Sequence, residues 1–328
     1  MTDTALPGFD DILAAARRLR GHVVTTPLLE SDALNQLVGG RLLIKAEVLQ
    51  HTGSFKFRGA YNRIAAMDAA ERKRGIVAFS SGNHAQGAAF AARLLEAPAV
   101  IVMPRDAPAL KIENTRGFGA EIVLYDRYTE DREAIGAKLA KQRGLTLVPP
   151  FDDPYVIAGQ GTIGLEIANQ CALRGIAPDD LLTPCSGGGL MAGCATALHR
   201  KLPGVKAYTA EPEHYDDMRR SLEAGKRQRN IEPPPSICDA LLMPEPGALT
   251  FAINKPLLAG GYAVPERDVR EAMRLASRHL KLVVEPGGAV ALAAVLSGRH
   301  EAKSRTVVVV ASGGNVEPAL FAEILGGR

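Results

Sequence analysis

Short apolar runs alternate with helical segments along most of this chain. The runs at residues 75–79, 99–103 and 120–124 are each followed by a segment with helical periodicity. A second series begins near Val156, with a predicted helix at 162–171 and strands at 180–183 and 205–209. Such alternation is typical of parallel sheets with helices on both faces. The sequence therefore predicts an α/β fold of two doubly wound domains with mainly parallel sheets and a cleft between them.

The length of the chain also favours two domains. A chain of 328 residues corresponds to two domains at roughly 150 residues each. Pro149-Pro150 and Pro154 mark the place where the chain crosses back from the first series. We predict a large domain from residues 1–66 and 153–328 and a small domain from residues 67–152.

Charge and cysteine content exclude several classes of protein. A net charge of +3 without a dense Lys/Arg block argues against a nucleic-acid partner. No apolar run reaches the ~18 residues of a membrane span, and we see no signal peptide. We expect a cytoplasmic protein, because the cysteines include no Cys-x-x-Cys pair and are best explained as free buried thiols. They are Cys171, Cys185, Cys194 and Cys238.

One lysine lies between two aromatic residues in the stretch Gly53-Ser-Phe-Lys-Phe-Arg-Gly59. Desolvation between Phe55 and Phe57 would disfavour the ammonium form of Lys56 and lower its pKa, as a Schiff-base lysine requires. An isolated lysine of this kind is also compatible with a surface position. Three further stretches favour the functional interpretation.

Each of these stretches follows a predicted strand. Ser186-Gly-Gly-Gly189 precedes a helix, so consecutive N–H groups and the helix dipole could hold a phosphate. Ser80-Ser-Gly-Asn-His84 could hold a carboxylate, although Ser and Asn also cap helices. Ser312-Gly-Gly-Asn315 places a hydroxyl where ligands of α/β sheets bind. The glycine spacings do not match a dinucleotide fingerprint, which disfavours a nicotinamide oxidoreductase.

In their order along the chain, the four stretches resemble the serine/threonine dehydratase and serine racemase family. Its members are pyridoxal phosphate (PLP) enzymes of fold type II, the tryptophan synthase β type. The resemblance extends from about Asp10 to Glu317. It implies PLP as cofactor, a small-molecule amino acid as substrate and a homodimer as the assembly. The large domain would bind the cofactor and the small domain would grip the substrate. Because the resemblance is to short members, we expect no feedback control by isoleucine.

The resemblance implies a cofactor site. Lys56 would bind the cofactor aldehyde covalently, and Phe55 would pack against the cofactor ring. Asn83 would hydrogen-bond the ring hydroxyl, Glu285 would lie near the ring, and Ser312 would face the pyridine nitrogen. The phosphate would be held by backbone N–H groups of Ser186, Gly187, Gly188, Gly189 and Leu190.

The resemblance implies a substrate site as well. Lys56 would move the Cα proton, and Ser81 would lie on the opposite face of the cofactor ring. The substrate carboxylate would be bound by Ser80, Ser81, Asn83 and His84.

These assignments favour elimination of water. A serine hydroxyl cannot protonate the pyridine nitrogen as a carboxylic acid would, so a long-lived carbanion is discouraged. The leading hypothesis is a dehydratase (ammonia-lyase) that converts L-threonine or L-serine to a 2-oxo acid and ammonia. The alternatives are a serine racemase with Ser81 as second proton carrier, a hydroxyaspartate dehydratase, and a non-catalytic PLP or amino-acid binder.

Arg132 has two interpretations. It could pair with a carboxylate one turn away on its own helix. It also matches an arginine that faces the substrate side chain in the racemase-like branch. In that position it would favour a substrate with a second carboxylate, such as hydroxyaspartate.

A divalent-cation site is a further prediction from the resemblance. Glu211 and Asp217 would supply carboxylates, and Tyr215 would supply its backbone carbonyl. Oxygen ligands of this kind suit Mg²⁺, Ca²⁺ or Mn²⁺. The alternative is a solvated acidic turn.

Overall fold

The computed structural model describes residues 6–80, 82–107, 109–231 and 233–327. Its strands are β1 (Leu28–Glu30), β2 (Arg41–Ala46), β3 (Ile76–Phe79), β4 (Ala99–Pro104), β5 (Glu121–Tyr125), β6 (Thr146–Leu147), β7 (Asp180–Pro184), β8 (Lys206–Pro212), β9 (Leu258–Val264) and β10 (Thr306–Ala311).

The helices connect and cover these strands. They are α1 (Phe9–Leu19), α2 (Asp32–Val38), α3 (Lys56–Ala65), α4 (Ala69–Arg74), α5 (Asn83–Leu94), α6 (Ala109–Gly117), α7 (Arg132–Arg143), α8 (Pro154–Leu173), α9 (Gly189–Lys201), α10 (Asp217–Ala224), α11 (Ala248–Leu257), α12 (Glu266–Leu275), α13 (Pro286–Leu296) and α14 (Pro318–Leu325). Short 3₁₀ turns lie at Glu47–Leu49, His51–Gly53 and Asp239–Leu241, and a π-helical turn lies at Ala276–Leu280.

The larger sheet has six strands in the order β1-β2-β10-β7-β8-β9. Strand β1 is antiparallel to β2, and the other neighbours are parallel. Both faces are covered, because alternate side chains of β2 enter different cores. Leu42 and Ile44 pack with α12 and α13, whereas Leu43 packs with α8 and α9.

The smaller sheet has four parallel strands in the order β5-β4-β3-β6. Ile76 and Ala78 of β3 face the core that includes α5, whereas Val77 and Phe79 face α7. Helices therefore cover both faces here too, and the predicted α/β fold with mainly parallel sheets is confirmed.

Helix α3 contributes to the packing of both halves of the chain. Phe57 and Ile64 belong to the core of the four-stranded sheet, whereas Gly59 on the same helix approaches Gln160 of α8. We propose that residues 67–152 form the small domain and that α3 lies at its boundary.

The four cysteines are free and buried, as predicted. Within the described ranges, no helix is both long enough and apolar enough to cross a membrane.

Candidate active site

A cleft of about 250 Å³ lies at the C-terminal ends of strands from both sheets. Phe79 ends β3 and Pro184 ends β7, and the chain enters the cleft directly after each of them. The cleft brings together the predicted site residues Phe55, Lys56, Ser80, Asn83, His84, Arg132, Ser186, Gly187, Gly188, Gly189, Leu190, Glu285 and Ser312. Ser81 lies outside the described residues.

Lys56 is the first residue of α3, and its side chain enters the cleft. The Nζ atom donates to the carbonyl of Pro150 at 2.9 Å and lies 5.1 Å from the centre of the Phe55 ring. Burial lowers the pKa of Lys56 to about 8, and the Glu285 carboxyl opposes that shift. The positive end of α3 also disfavours an ammonium at this position. The shift brings the neutral amine, which a nucleophile or base requires, into reach near pH 8.

The predicted position of Phe57 beside the lysine is wrong. Its ring is fully buried and packs against His51, Tyr61 and Phe90 in the core. Residues 55 and 57 lie on different sides of the first turn of α3, because a helix rotates by about 200° over two residues. Phe55 alone of this pair lines the cleft.

A buried charge network holds the start of α3 in place. The Arg58 guanidinium donates to both carboxylate oxygens of Glu47 at 2.8 Å and to Glu166 of α8 at 2.7 Å. Lys45 on β2 donates to the same Glu166 at 2.6 Å. Removing one member would leave an unpaired buried charge, so the network fixes α3 against β2 and α8.

The loop between β7 and α9 presents a row of donors. No acceptor among the described residues bonds the backbone N–H groups of residues 186–190. The Ser186 hydroxyl is also buried without a partner. Buried donors without acceptors are costly, so the loop fits an anion such as a phosphate.

Two glycines permit this loop. Gly188 has φ +93°, and a Cβ there would lie 2.6 Å from the Met218 side chain. A Cβ on Gly187 would lie 2.5 Å from the Phe151 ring, which forms a wall of the cleft. Neither position accepts a larger residue without a shift of its neighbours.

Asn83 and Glu285 form a polar pair near the lysine. Asn83 Nδ2 donates to Glu285 at 2.5 Å, and Asn315 Nδ2 donates to Asn83 Oδ1 at 2.7 Å. Burial, followed by the nearby Asp239 carboxylate, raises the pKa of Glu285 to about 8. Ser312 completes this side of the cleft, where its carbonyl accepts the Phe55 N–H at 3.1 Å.

His84 is a neutral residue at this site. Its Nε2 atom lies 2.9 Å from the Val148 carbonyl, which assigns the proton to Nε2 and leaves Nδ1 as a buried acceptor without a partner. Burial, followed by the nearby Lys56, lowers the pKa of His84 to about 3. A neutral ring with a bare Nδ1 cannot donate to a carboxylate. Any carboxylate contact here would come from the backbone.

Helix α5 offers such backbone donors beside Ser80. The N–H groups of Asn83, His84 and Ala85 open α5 and have no acceptor in the described part of the chain. The Ser80 hydroxyl accepts the Gly82 N–H at 3.2 Å, so it lies close to the start of α5. This arrangement fits a carboxylate at the helix N-terminus.

Among the described residues, three cationic side chains besides Lys56 line the cleft, and they differ in their partners. Lys111 pairs with Asp239 at 2.8 Å, and Arg127 pairs with Asp106 at 2.8 Å. Arg132 lies 5.6 Å from the centre of the Phe79 ring, and its Nη2 lies 3.3 Å from the Met243 sulfur. Within the described residues, Arg132 has no carboxylate within salt-bridge distance. The predicted pairing along its own helix is therefore absent there.

The predicted cation ligands lie outside the cleft and are buried. The Glu211 carboxylate accepts the N–H groups of Met218 and Arg219 at 2.9 and 2.8 Å. Asp217 Oδ1 accepts from Asn230 at 2.7 Å, whereas Oδ2 is buried without a partner. The alternative of a solvated turn is wrong for these carboxylates, because both are 0% exposed.

The two carboxyl groups influence one another. Burial, followed by the nearby Asp217 carboxyl, raises the pKa of Glu211 well above its usual range. Burial raises the pKa of Asp217 to about 7. Nowhere in the described ranges do three or more His, Cys, Asp or Glu side chains form a metal cluster. The predicted set has only two carboxylates, and the orphaned Oδ2 atom fits a cation ligand.

Sequence reasoning missed several residues of the cleft. Lys111, Asp239, Phe151 and Gln160 belong to no motif, and only the fold brings them to the cleft. One signal in the sequence pointed to Gln160, because it is a polar residue within an apolar helical segment. Its Oε1 accepts the Gly59 N–H at 3.2 Å, and its Nε2 is buried without a partner.

A phosphorylated aldehyde fits the residues of this cleft. The unpaired N–H groups of residues 186–190 and the orphaned Ser186 hydroxyl suit its phosphate. The Lys56 amine, with its lowered pKa, suits covalent attachment to its aldehyde. The cleft therefore has the donor set that PLP requires.

Comparisons with known proteins agree with this geometry. The family model described as "Pyridoxal-phosphate dependent enzyme" matches residues 19–313. An L-threo-3-hydroxyaspartate ammonia-lyase from Pseudomonas sp is 43% identical over 98% of this chain and 99% of its own length. A solved threonine deaminase from "T.th." is 44% identical, with a TM-score of 0.89 over 95% of this chain and 99% of that one. Maize serine racemase is 35% identical, with a TM-score of 0.92 over 98% of each chain. The chain thus belongs to the pyridoxal-phosphate dependent enzymes of fold type II, in the branch of ammonia-lyases and racemases.

Proposed function

We propose that this enzyme is an ammonia-lyase for L-threo-3-hydroxyaspartate, which it converts to oxaloacetate and ammonia. The observation that carries the proposal is Arg132, a guanidinium that lines the cleft without a carboxylate partner among the described residues. Guanidinium groups bind carboxylates bidentately, and a β-carboxylate is what distinguishes hydroxyaspartate from serine. The Pseudomonas relative, a hydroxyaspartate ammonia-lyase by name, supports the same substrate.

Substrate binding and removal of the Cα proton each have residues suited to them. The N-terminus of α5 and Ser80 would bind the α-carboxylate, while Arg132 would bind the β-carboxylate. Lys56 would take the proton from Cα, because its lowered pKa leaves the amine free to accept it. When bound, the cofactor supplies the electron-withdrawing ring that makes this proton acidic. The β-hydroxyl would then leave Cβ with one proton, so that water is lost overall, and the resulting enamine would hydrolyse in water to the 2-oxo acid and ammonia.

Threonine and serine remain the second candidate. The Phe79 ring and the Met243 side chain lie beside Arg132 and could pack against a substrate methyl group. The similarity to a threonine deaminase supports this alternative. A racemase reaction would depend on Ser81, which lies outside the described residues.

A substrate panel tests the proposal. The substrates would be L-threonine, L-serine and the threo and erythro diastereomers of hydroxyaspartate. Each reaction would be assayed for ammonia, for the 2-oxo acid and for the D-isomer of the substrate. We expect kcat/KM for L-threo-3-hydroxyaspartate to exceed that for threonine by about 30-fold or more, as a desolvated ion pair of about 2 kcal/mol would give. Threonine turnover equal to or above hydroxyaspartate turnover would favour the second candidate. D-serine as the main product would favour a racemase.

The pH dependence of cofactor capture tests the environment of Lys56. Burial lowers its pKa from 10.5 to about 8, so the neutral amine accumulates as the pH rises through about 8. The rate at which apoenzyme binds PLP covalently, followed by absorbance, should rise through this range and level off above it. An ordinary exposed lysine would give a midpoint near 10.5. A midpoint near that value would contradict the buried position of the amine.

We propose that a divalent cation binds Asp217 and Glu211, with the carbonyl of Tyr215 as a third ligand. The buried, unpartnered Asp217 Oδ2 supports this proposal. At a Mg²⁺ or Ca²⁺ concentration about 100 times the dissociation constant, binding would add about 2.7 kcal/mol of stability. We expect the cation to raise the Tm, EDTA to reverse the rise, and Asp217→Asn to abolish the response. Glu223→Gln, an exposed acid on α10, is the matched control. An equal cation response in Asp217→Asn would exclude the site.

A further inference from the structure

Helix α11 packs under the glycine loop and bonds its carbonyl groups. The Thr250 hydroxyl donates to the Gly187 carbonyl at 2.5 Å, and Asn254 Nδ2 donates to the Gly188 carbonyl at 3.2 Å. Thr250 and Asn254 are four residues apart, so they share one face of α11. Both side chains are 0% exposed. Neither lines the cleft, so neither would touch the cofactor.

These two bonds contribute to which way the loop donors point, alongside one backbone donor to each carbonyl. The C=O of Gly187 and the N–H of Gly188 belong to one planar peptide unit and point in opposite directions. The same holds for the C=O of Gly188 and the N–H of Gly189. Holding both carbonyls toward α11 therefore turns both N–H groups away from it. Those N–H groups have no acceptor in the described ranges.

The start of α11 is fixed in turn by the segment that contacts Lys56. The Asp152 carboxylate accepts the N–H groups of Ala248, Leu249 and Thr250 at 3.0, 2.9 and 3.1 Å. Asp152 follows Pro150 by two residues, and the Pro150 carbonyl accepts from Lys56. One short segment thus positions the lysine amine and, through α11, the glycine loop.

We propose that Thr250 and Asn254 are positioning residues for the cofactor phosphate. They hold the Gly187 and Gly188 carbonyls away from the cleft, so that the loop is preorganised as a phosphate site before the cofactor arrives. Without them each carbonyl keeps one backbone donor, Gly247 N–H at 3.2 Å for Gly187 and Ala192 N–H at 2.9 Å for Gly188, so the two peptide units are held less firmly. The inference rests on the PLP dependence of the family and is independent of the substrate proposed above.

Thr250→Val and Asn254→Leu remove the two donors at similar side-chain volume. The dissociation constant of PLP from each variant would be measured by titration of apoenzyme, with the ³¹P chemical shift of the bound phosphate as a second readout. We expect each variant to bind PLP about tenfold more weakly, as the loss of one buried hydrogen bond of about 1.4 kcal/mol would give. The ³¹P shift should also change. Thr250→Ser, which keeps the hydroxyl, should restore the affinity to within about twofold.

A matched control separates positioning from general stability. Thr196 on α9 also donates its hydroxyl to a helix carbonyl, that of Ala192 at 2.8 Å, which is not one of the loop carbonyls that α11 bonds. Thr196→Val should lower the Tm of the apoenzyme about as much as Thr250→Val but leave PLP affinity unchanged. The proposal would be overturned if Thr250→Val and Asn254→Leu both left the PLP affinity and the ³¹P shift unchanged. It would also be overturned if Thr196→Val and Thr250→Val lost PLP affinity equally. Failure of wild-type protein to turn over hydroxyaspartate would affect only the proposed substrate.

Discussion

Replacing Lys56 with alanine is expected to lower turnover by at least about 10⁴-fold, because one side chain supplies both the covalent attachment and the base. The yellow colour of the purified protein should be lost as well. The buried amine, bonded to the Pro150 carbonyl and deprived of solvent, underlies this expectation. Absorbance spectra and steady-state ammonia release would measure the two effects.

Lys138→Ala is the control for the Lys56 variant, because Lys138 is an exposed residue of α7. It should retain colour and turnover. Added PLP should not restore a Lys56→Ala enzyme, since binding of the phosphate alone provides no base. Wild-type turnover in Lys56→Ala would contradict the assignment of this lysine.

Replacing Arg132 with alanine should lower kcat/KM for L-threo-3-hydroxyaspartate by about 30-fold, since it removes the proposed ion pair of about 2 kcal/mol. Turnover of threonine or serine should change by less than about threefold, because neither substrate has a β-carboxylate for Arg132 to bind. The ratio of the two kcat/KM values is therefore the informative quantity. A partial loss of folded enzyme would lower both kcat/KM values equally and so would not change their ratio.

Two further variants sharpen the Arg132 experiment. Arg132→Lys keeps the charge but loses the planar fork, so it should recover only part of the hydroxyaspartate activity. Arg127→Ala removes a second cleft arginine that already pairs with Asp106, and should leave the substrate ratio unchanged. An unchanged ratio in Arg132→Ala would remove the structural argument for hydroxyaspartate.

The order and type of the secondary elements around the site were predictable because their signals are local. The stretch at residues 186–189 combines a preceding strand, three glycines and a following helix, and that combination has few alternatives. The structure starts α9 at Gly189, at the position that phosphate binding would require. The same local argument identified the start of α5 after β3.

Helix α8 shows why part of the fold was harder to predict. The helix was predicted at 162–171 but extends over Pro154–Leu173. Several of its glycines are contact points between helices. A Cβ on Gly159 would lie 2.7 Å from the Arg58 carbonyl, and one on Gly164 would lie 2.9 Å from the Cys194 carbonyl. Close approach of backbones is a tertiary requirement, and a local pattern does not distinguish it from a turn.

The remaining site residues depend on contacts between distant parts of the chain. Lys111 meets Asp239, and Thr250 and Asn254 meet the glycine loop, over separations that no periodicity encodes. Phe57 was misassigned because proximity in sequence was taken as proximity in space, whereas helix geometry separates it from Phe55.

The most direct test of this account is to identify the residue that carries the cofactor. The holoenzyme would be reduced with borohydride, digested and analysed by mass spectrometry. The position of the Lys56 amine in the cleft, beside the unpaired N–H groups of residues 186–190, predicts a phosphopyridoxyl group on the peptide that contains Lys56. A label on Lys111, the other lysine of the cleft, or no label at all would contradict it.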